Sequence, residues 1–342
     1  MRNNSILLIY TGGTIGMHKD AETGSLIPFD FTRILEQIPE LKLIDKKIET
    51  IAFDKPIDSS NARPYHWKKL AELIEENYDN YDGFVILHGT DTMAYTASAL
   101  SFMLENLSKP VILTGSQLPI GDLRTDAKEN IITSIEIAGT YEDEKPVVPE
   151  VAIYFEFKLL RGNRATKYSS EHFNAFDSPN YLPLAQSGVF LKFFKHRILP
   201  VPDGIFNVYS ELAENVMVLK IHPALTEEQL THILNIPHLQ ALILETYGAG
   251  NALTEKWFLD LIKKAIHEKS IHIINISQCH SGGISPYKYE TGKKLMETGV
   301  FNGKDMTTEA ALAKMMYLLG KKLSKKAIKQ AFERPIRGDI SI

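Results

Sequence analysis

The stretch of sequence that decides the fold is GFVILHGTDTMAY, at residues 83–95. Its apolar part, Phe84–Leu87, is short and rich in β-branched and aromatic residues, which predicts a strand buried on both faces. A small polar loop follows, and then a helical pattern at Thr92–Leu104. A buried strand that leads through a polar loop into a helix is the repeating unit of a parallel sheet covered by helices.

The same unit recurs along the first half of the chain. Helices are predicted at Tyr65–Tyr78, directly after Pro64, and at Asp126–Ala138. Further strands, each expected to be buried on both faces, are predicted at Ile6–Tyr10, Lys47–Ala52, Val111–Thr114 and Val151–Phe155. This alternation predicts an α/β fold with a parallel-type sheet.

The regular pattern stops between about Phe193 and Glu214, where prolines and charged residues follow no sustained period. We interpret residues 193–214 as a linker between a larger domain at 1–192 and a smaller α/β domain at 215–342. In the second domain strands are predicted at Val216–Leu219, Ala241–Leu244 and His272–Ile276, and helices at Glu227–Leu234, Glu255–Glu268, Glu309–Leu319 and Lys325–Phe332.

Composition excludes several classes of protein. The 342 residues are 44% hydrophobic and 23% charged, which is typical of globular domains. Lys and Arg number 38 against 42 Asp and Glu, a net charge of −4, so neither nucleic acid nor an anionic membrane is an expected partner. The one cysteine, Cys279, excludes a disulfide framework, and no apolar run resembles a signal peptide or a membrane span. We therefore predict a cytoplasmic protein.

Polar loops follow four of the predicted strands. In parallel α/β sheets, ligands bind beyond the carboxyl ends of the strands, so these loops are expected to meet at one edge. The loops are Thr11–Gly16, Asp58–Ser60, His88–Thr92 and Thr114–Gln117. Their convergence is a stronger indication of a site than any single loop.

The glycine-containing loop at Thr11–Gly16 has two interpretations. It lacks the G-x-G-x-x-G spacing of dinucleotide sites and the G-K-[ST] of a P-loop, so a phosphate cradle is not supported. Its glycines allow close backbone approach around Thr14, whose hydroxyl is a candidate nucleophile beside free amide groups. From the loop alone, a structural threonine remains the alternative.

The other polar loops are also open to two interpretations each. Asp91 is either a helix N-cap or a carboxylate that orients a base or binds a substrate ammonium. The hydroxyls of Ser59 and Ser60, after Asp58, either bind substrate or belong to an ordinary turn. The histidines at 267 and 272 do not form H-E-x-x-H, and no other histidine spacing predicts a metal site.

Two segments identify a resemblance. They are Tyr10–Gly16, YTGGTIG, and Gly83–Tyr95. In this order and separation they make the chain similar to the bacterial type I, cytoplasmic L-asparaginases over essentially its whole length. Further matching residues are Asp58-Ser59-Ser60, Arg161-Gly162-Asn163-Arg164, Tyr247-Gly248-Ala249-Gly250-Asn251 and Gln278-Cys279.

The resemblance implies catalytic roles for four residues. Thr14 resembles the nucleophile that attacks the side-chain amide of L-asparagine, releases ammonia and forms a β-aspartyl ester. Thr90, Asp91 and Lys167 resemble the supporting triad, with the lysine acting as base through the threonine, and backbone N–H groups near Thr90 line the oxyanion hole. Because a lysine acts as base only when neutral, we expect Lys167 to be desolvated. No metal or organic cofactor is implied.

The resemblance also implies how substrate is held and how subunits assemble. Ser59, with Asp58 and Ser60, resembles the loop that holds the substrate α-carboxylate, while Asp91 also contacts the α-ammonium. The family fold is a flavodoxin-like N-terminal domain followed by a smaller α/β domain. The implied assembly is a homodimer or homotetramer with active sites at the subunit interface, and Asn251 is the candidate residue from the neighbouring subunit.

The chain departs from the family in two places. Met17–Ile27 is expected to form a mobile lid, but Leu26 stands where many relatives place a tyrosine that supports the nucleophile. Some type I enzymes also have an allosteric asparagine site, and an arginine of that site corresponds to Glu245 here. The matching positions are Thr166, Glu245, Ser277 and Cys279. A regulatory pocket here would therefore bind its ligand through different contacts.

Two other functions remain as alternatives. One is the asparaginase-like subunit of a tRNA-dependent amidotransferase, which would hydrolyse glutamine. Such subunits carry an additional N-terminal domain, for which the strand predicted from Ile6 leaves no room. The other is a non-catalytic amino-acid sensor, which the intact set of four catalytic residues disfavours. The preference for asparagine over glutamine depends on pocket depth, since one methylene is worth only ~1–3 kcal/mol.

Overall fold

The computed structural model describes residues 4–19, 26–28 and 38–341. The chain divides into two compact units, Met1–Ser210 and Glu211–Ile342. Their boundary lies within residues 193–214, the segment interpreted above as a linker. That segment contains a 3₁₀ turn at Lys195–Arg197 and a short strand at Asn207–Val208. The exact domain limits stay a prediction.

The first unit is built on an eight-stranded sheet. In chain order its strands are β1 (Ser5–Gly12), β2 (Lys47–Ile57), β3 (Gly83–Leu87), β4 (Val111–Thr114), β5 (Val151–Phe155), β6 (Lys158–Arg161), β7 (Ala185–Gln186) and β8 (Lys192–Phe193). They lie in the order β8–β7–β6–β5–β4–β3–β1–β2. The five strands from β5 to β2 are parallel, and this half of the sheet carries the candidate site.

Three helices of the first unit begin and end within one residue of their predicted bounds. They are α1 (Pro64–Asn77), α2 (Met93–Met103) and α3 (Ala127–Ala138). Every residue of β1 is buried, and its side chains Ile6 and Leu8 share a core cluster with Ile131 and Ile135 of α3. Burial on both faces was the expectation for β1, β3, β4 and β5, and it is confirmed.

The same expectation is wrong for Lys47–Ala52. This segment begins β2, which extends to Ile57 and whose residues are exposed or half-buried, except for the buried Phe53. The physical reason is its position, because among the described residues β2 is the last strand of the sheet and pairs with β1 alone. Exposed Lys and Glu side chains along an edge strand discourage pairing with another chain.

The sheet is also less uniform than the sequence pattern suggests. The strands β6, β7 and β8 are antiparallel to their neighbours, so the sheet is mixed, with a parallel major part. A two-residue turn joins β5 to β6, with Glu156 and Phe157 at φ values of 45° and 65°. These angles are those of a hairpin turn that matches the twist of antiparallel strands.

The second unit has a four-stranded parallel sheet. Its strands, in spatial order, are β9 (Val216–Lys220), β10 (Ala241–Thr246), β11 (His272–Ser277) and β12 (Phe301–Asn302). Its helices are α4 (Glu227–Leu234), α5 (Lys256–His267), α6 (Glu290–Glu297), α7 (Thr308–Gly320) and α8 (Lys325–Phe332). The sequence did not predict α6 or β12. Leu242 and Leu244 pack with Phe258 and Ile262 of α5 in the core of this unit.

Among the described residues, no helix has the length and apolarity needed to cross a membrane.

Candidate active site

The candidate site lies at the carboxyl ends of four neighbouring parallel strands, β4, β3, β1 and β2. Parallel strands end at the same edge, so the loops that follow them are neighbours. The 3₁₀ turns Thr14–Gly16, Ser59–Asn61 and Thr90–Thr92 come closely after β1, β2 and β3. The convergence of polar loops predicted from the sequence is therefore observed.

Close backbone packing holds three of these loops together. A Cβ atom on Gly13 would lie 2.5 Å from both Cα and N of Gly89, and a Cβ on Gly89 would lie 2.5 Å from Oγ of Ser59. Only glycine is compatible with either contact, and Gly13 also has a φ of 90°. Thr14 directly follows Gly13 and Thr90 directly follows Gly89, so the contact between the two glycines holds the backbones of both threonines close together.

Buried side chains fix the turn that carries Thr14. The hydroxyl of Thr11 donates to the carbonyl of Leu87 at 2.9 Å, which joins the end of β1 to the end of β3. The Tyr10 hydroxyl donates to the carbonyl of Gly16 at 3.2 Å, at the far end of the turn. Burial raises the pKa of Tyr10 to about 12, so the phenol stays protonated and serves as a donor. Thr14 itself is half-buried and so accessible to a small ligand.

The Asp58–Ser60 loop is ordered by hydrogen bonds of its own. Oδ1 of Asp58 accepts from the backbone N–H of Ser60 at 2.9 Å, and the Thr92 hydroxyl donates to the carbonyl of Ser59 at 2.7 Å. Ser59 is buried, whereas Asp58 and Ser60 are exposed. Asp58 therefore shapes the turn, and the buried Ser59 lies against Gly89 at the inner side of the site.

The centre of the site is a contact between Lys167 and the loop after β3. Nζ of Lys167 lies 2.8 Å from Oγ1 of Thr90 and 2.7 Å from Oδ1 of Asp91. The Lys167 side chain is 18% exposed and that of Asp91 is 61% exposed. The expected desolvation of the lysine is thus partial, and the site opens to solvent on the side of Asp91. The residue at the N-cap of α2 is Thr92, so Asp91 does not cap that helix.

A buried, arginine-containing run places Lys167 at this point. Nε of Arg161 pairs with Glu150 at 2.6 Å, and Nη2 of Arg164 donates to the carbonyl of Asn180 at 3.0 Å. Both arginines are buried. The chain leaves this anchored run directly into the short strand Thr166–Lys167, which pairs with Phe176–Asp177. The sequence shows Arg161 and Arg164 just before Lys167, but residue spacing alone did not predict that these arginines are buried and hold the lysine in place.

Asn251 belongs to the second unit. Its Oδ1 accepts from the Thr291 hydroxyl at 2.7 Å, and its backbone closes a tight turn with Tyr247. The contribution of Asn251 to a neighbouring subunit's site stays a prediction.

The positions compared with the allosteric site divide between the units. Glu245 and Ser277 lie at the ends of β10 and β11, where the two strands are adjacent, and Cys279 donates its backbone N–H to Ser277 Oγ at 3.0 Å. The Thr308 hydroxyl donates to Oε1 of Glu245 at 2.5 Å. Thr166 lies in the first unit.

The expected lid at Met17–Ile27 is described in part. Met17–Lys19 and Leu26–Pro28 pair as antiparallel strands, with residue 18 opposite residue 27. The tip between them, residues 20–25, lies outside the described residues. Across the described part of the chain, no group of three or more His, Cys, Asp or Glu side chains is placed to hold a metal ion.

Comparisons with known proteins agree over the whole chain. The family model described as "Asparaginase, N-terminal" matches residues 5–199, and the one described as "Glutaminase/Asparaginase C-terminal domain" matches residues 215–332. L-asparaginase 1 of Escherichia coli strain K12 is 40% identical, over 100% of this chain and 99% of that protein.

Solved structures give the same result. The crystal structure of L-asparaginase I from Vibrio cholerae has a TM-score of 0.90 and 38% identity, covering 99% of both chains. The thermostable L-asparaginase from Thermococcus kodakarensis has a TM-score of 0.90 and 33% identity, covering 98% of this chain and 99% of that one. By its sequence, its two matched domains and its fold, this chain belongs to the asparaginase family.

Proposed function

We propose that this chain hydrolyses L-asparagine to L-aspartate and ammonia through a covalent ester on Thr14. The observation that carries the proposal is the position of Lys167 Nζ, 2.8 Å from the Thr90 hydroxyl and 2.7 Å from the Asp91 carboxylate. These groups lie at the sheet edge that also carries Thr14. Asparagine as substrate is supported by similarity to L-asparaginase 1 of E. coli over essentially the full length of both chains.

In the first half of the reaction, Oγ1 of Thr14 attacks the side-chain amide carbon of asparagine. Its proton passes through the Thr90 hydroxyl to a neutral Lys167, since a hydroxyl needs a base to become a nucleophile. Backbone N–H groups near Thr90 stabilise the negative charge on the former carbonyl oxygen. The C–N bond then breaks, ammonia takes up the proton and leaves, and a β-aspartyl ester remains on Thr14.

In the second half, water attacks the ester carbon. The same base accepts a proton from the water, the ester bond breaks, and Thr14 recovers its proton as aspartate leaves. Every proton in this scheme moves between side chains, water and substrate, so the proposed reaction uses no metal or organic cofactor.

The substrate's charged ends have candidate partners in the loops after β2 and β3. The exposed Asp91 carboxylate is suited to the α-ammonium group. The hydroxyls of Ser59 and Ser60 are suited to the α-carboxylate, and Asp58 holds their turn in shape through the Ser60 N–H. A bound amino acid over Asp91 would also cover the side from which solvent reaches Lys167.

The experiment is steady-state ammonia release from L-asparagine and L-glutamine over a wide concentration range. We expect the wild type to release ammonia from asparagine and Thr14→Ala to release none, with both proteins showing the same circular dichroism. Binding of asparagine without product would instead support the sensor, and turnover of glutamine alone would support the amidotransferase subunit. The comparisons favour neither alternative. A sigmoidal rate curve would support regulation by the substrate.

We also propose that the protein works as a homodimer or homotetramer in which Asn251 completes the site of the neighbouring subunit. Two inactive variants, Thr14→Ala and Asn251→Ala, test this when they are co-expressed. Mixed dimers then contain one site with both changes and one with neither, so about a quarter of all sites should regain activity. Continued inactivity of the mixture would contradict a contribution in trans.

A further inference from the structure

The catalytic loop after β3 is joined to a buried chain of three polar side chains to which the reaction scheme gives no part. His88 directly follows β3 and is buried. Its Nδ1 lies 2.7 Å from the carbonyl oxygen of Gly89, and its Nε2 lies 3.0 Å from Oγ1 of Thr96 in α2. Trp67 of α1 completes the chain, since its Nε1 donates to the same Thr96 hydroxyl at 3.0 Å.

The direction of every hydrogen bond in this chain follows from the groups involved. An indole N–H can only donate and a carbonyl oxygen can only accept. The Thr96 hydroxyl therefore accepts from Trp67, and Nδ1 of His88 must carry the hydrogen that goes to the Gly89 carbonyl. In a neutral ring Nε2 then has no hydrogen, so it accepts from the Thr96 hydroxyl. The histidine is neutral with one fixed tautomer, in agreement with burial, which lowers its pKa to about 4.

The carbonyl of Gly89 belongs to the same peptide group as the N–H of Thr90. A trans peptide is planar, and its C=O and N–H point in opposite directions. A hydrogen bond that fixes the direction of this carbonyl therefore fixes the direction of the Thr90 N–H. Gly13 and Ser59 hold Gly89 in place from two other sides, at contacts that leave no room for a Cβ.

We propose that His88 is a positioning residue that orients the backbone N–H of Thr90 toward the oxyanion of the reaction. This inference rests on the proposed function, because the N–H needs an oxyanion to stabilise. The histidine does not touch substrate. It acts through Gly89, and Thr96 and Trp67 hold it in the tautomer that can donate to that carbonyl.

Two substitutions at His88 separate this role from packing. The amide nitrogen of asparagine lies as many bonds from Cα as Nδ1 does, so His88→Asn keeps a donor toward Gly89. Glutamine reaches instead to the position of Nε2, so His88→Gln keeps the contact to Thr96 and loses the donor. Asparagine is the smaller of the two and leaves the larger cavity, so a packing role predicts that it is the more harmful change.

We expect kcat for asparagine to fall about 10- to 100-fold in His88→Gln and by no more than about threefold in His88→Asn. KM should change by less than about threefold in both, because the N–H contributes to the transition state more than to the bound substrate. His272, a buried histidine of the second unit, is the matched control. Its Asn and Gln variants should differ from each other by less than about twofold in kcat.

Equal kcat values for the two His88 variants, or a lower value for His88→Asn, would overturn the inference while leaving the proposed function intact. If these variants do not fold, Thr96→Ser and Thr96→Val make the same test one link further along the chain. The serine keeps the hydroxyl and should keep kcat, whereas the valine should lower it, and equal values would again overturn the inference. Wild-type protein that releases no ammonia would overturn the proposed function and this inference together.

Discussion

Two lysine–aspartate pairs with nearly the same geometry have opposite surroundings. Lys167 and Asp91 are 2.7 Å apart, with side chains 18% and 61% exposed. Lys314 and Asp339, in the second unit, are 2.6 Å apart, and both side chains are fully buried. The first pair adjoins the Thr90 hydroxyl, through which a proton can move. On the proposed mechanism, access to water and to a movable proton, rather than the ion pair itself, would distinguish a catalytic lysine from a structural one.

The buried pair holds the end of the chain. Nζ of Lys314, on α7, also donates to the carbonyls of Phe332 and Arg334, at 2.7 and 2.6 Å. Oδ1 of Asp339 accepts from the backbone N–H of Ile336 at 2.7 Å. Burial lowers the pKa of Lys314, and the nearby aspartate opposes that shift. With its three hydrogens all donated, this ammonium has a structural role.

The largest expected effect is on activity at the open pair. Lys167→Met should lower kcat for asparagine by more than about 10³-fold, because the nucleophile loses its base. Lys167→Arg is the control, since it places beside Asp91 a positive charge that does not release its proton. We expect it to be equally inactive in ammonia release, while the free energy of unfolding changes by less than about 1 kcal/mol. An active arginine variant would show that the charge, and not the base, is needed.

The next effect is on stability at the buried pair. Lys314→Met removes the ammonium from a buried ion pair and keeps the Asp339 carboxylate buried, a change that typically costs about 3–5 kcal/mol. Urea unfolding should show this loss, and kcat per folded molecule should stay unchanged. A stability close to that of the wild type would mean that water reaches Asp339, and the contrast between the two pairs would be lost.

The third effect depends on pH and concerns His88. Its pKa is about 4 in the folded protein, below the ordinary value of 6.5, because of burial. On acidification the unfolded chain therefore takes up the proton first. The contribution of His88 to the free energy of unfolding is thus fully present above pH 6.5 and is lost as pH falls toward 4. Between pH 7.5 and pH 5 this histidine should account for a loss of about 2 kcal/mol. In urea unfolding between pH 7.5 and pH 5, the free energy of unfolding of His88→Asn should fall by about 2 kcal/mol less than that of the wild type. An equal fall in the two proteins would contradict a neutral, buried His88.

The smallest expected effect is on the free energy of unfolding, at a solvent-exposed lysine–glutamate pair that serves as the reference for the other two. Lys294 and Glu290, one helical turn apart in α6, are 2.8 Å from each other with side chains 44% and 78% exposed. Lys294→Ala should change the free energy of unfolding by no more than about 0.5 kcal/mol. A loss as large as that of Lys314→Met would mean that burial does not set the strength of these pairs.

Much of the fold could be predicted because the parallel strands are short apolar runs with clear ends. The errors have local causes. Lys47–Ala52 has the composition of a strand, and the prediction of burial on both faces overlooked Lys47 and Glu49, which are typical of a sheet edge. The hairpin at Glu156-Phe157 reverses the chain without the Asn-Gly or Asp-Gly that marks such turns, so the antiparallel half of the sheet gave no signal.

The candidate site was predictable to different degrees. Thr14, Ser59 and Thr90 follow strands, so one rule of sheet topology brings their loops to the same edge. Lys167 lies 76 residues from Asp91 along the chain, and only the family resemblance connected the two. The hydrogen bonds of His88 could not be predicted at all, because they join three elements whose packing the sequence pattern does not specify.

The most direct test of the account is to trap the covalent intermediate. Wild-type protein mixed with L-asparagine and quenched in acid should gain the mass of one aspartyl group, located by peptide mass spectrometry on Thr14, and Thr14→Ala should gain none. An aspartyl group on another residue, or its persistence in Thr14→Ala, would contradict Thr14 as the nucleophile.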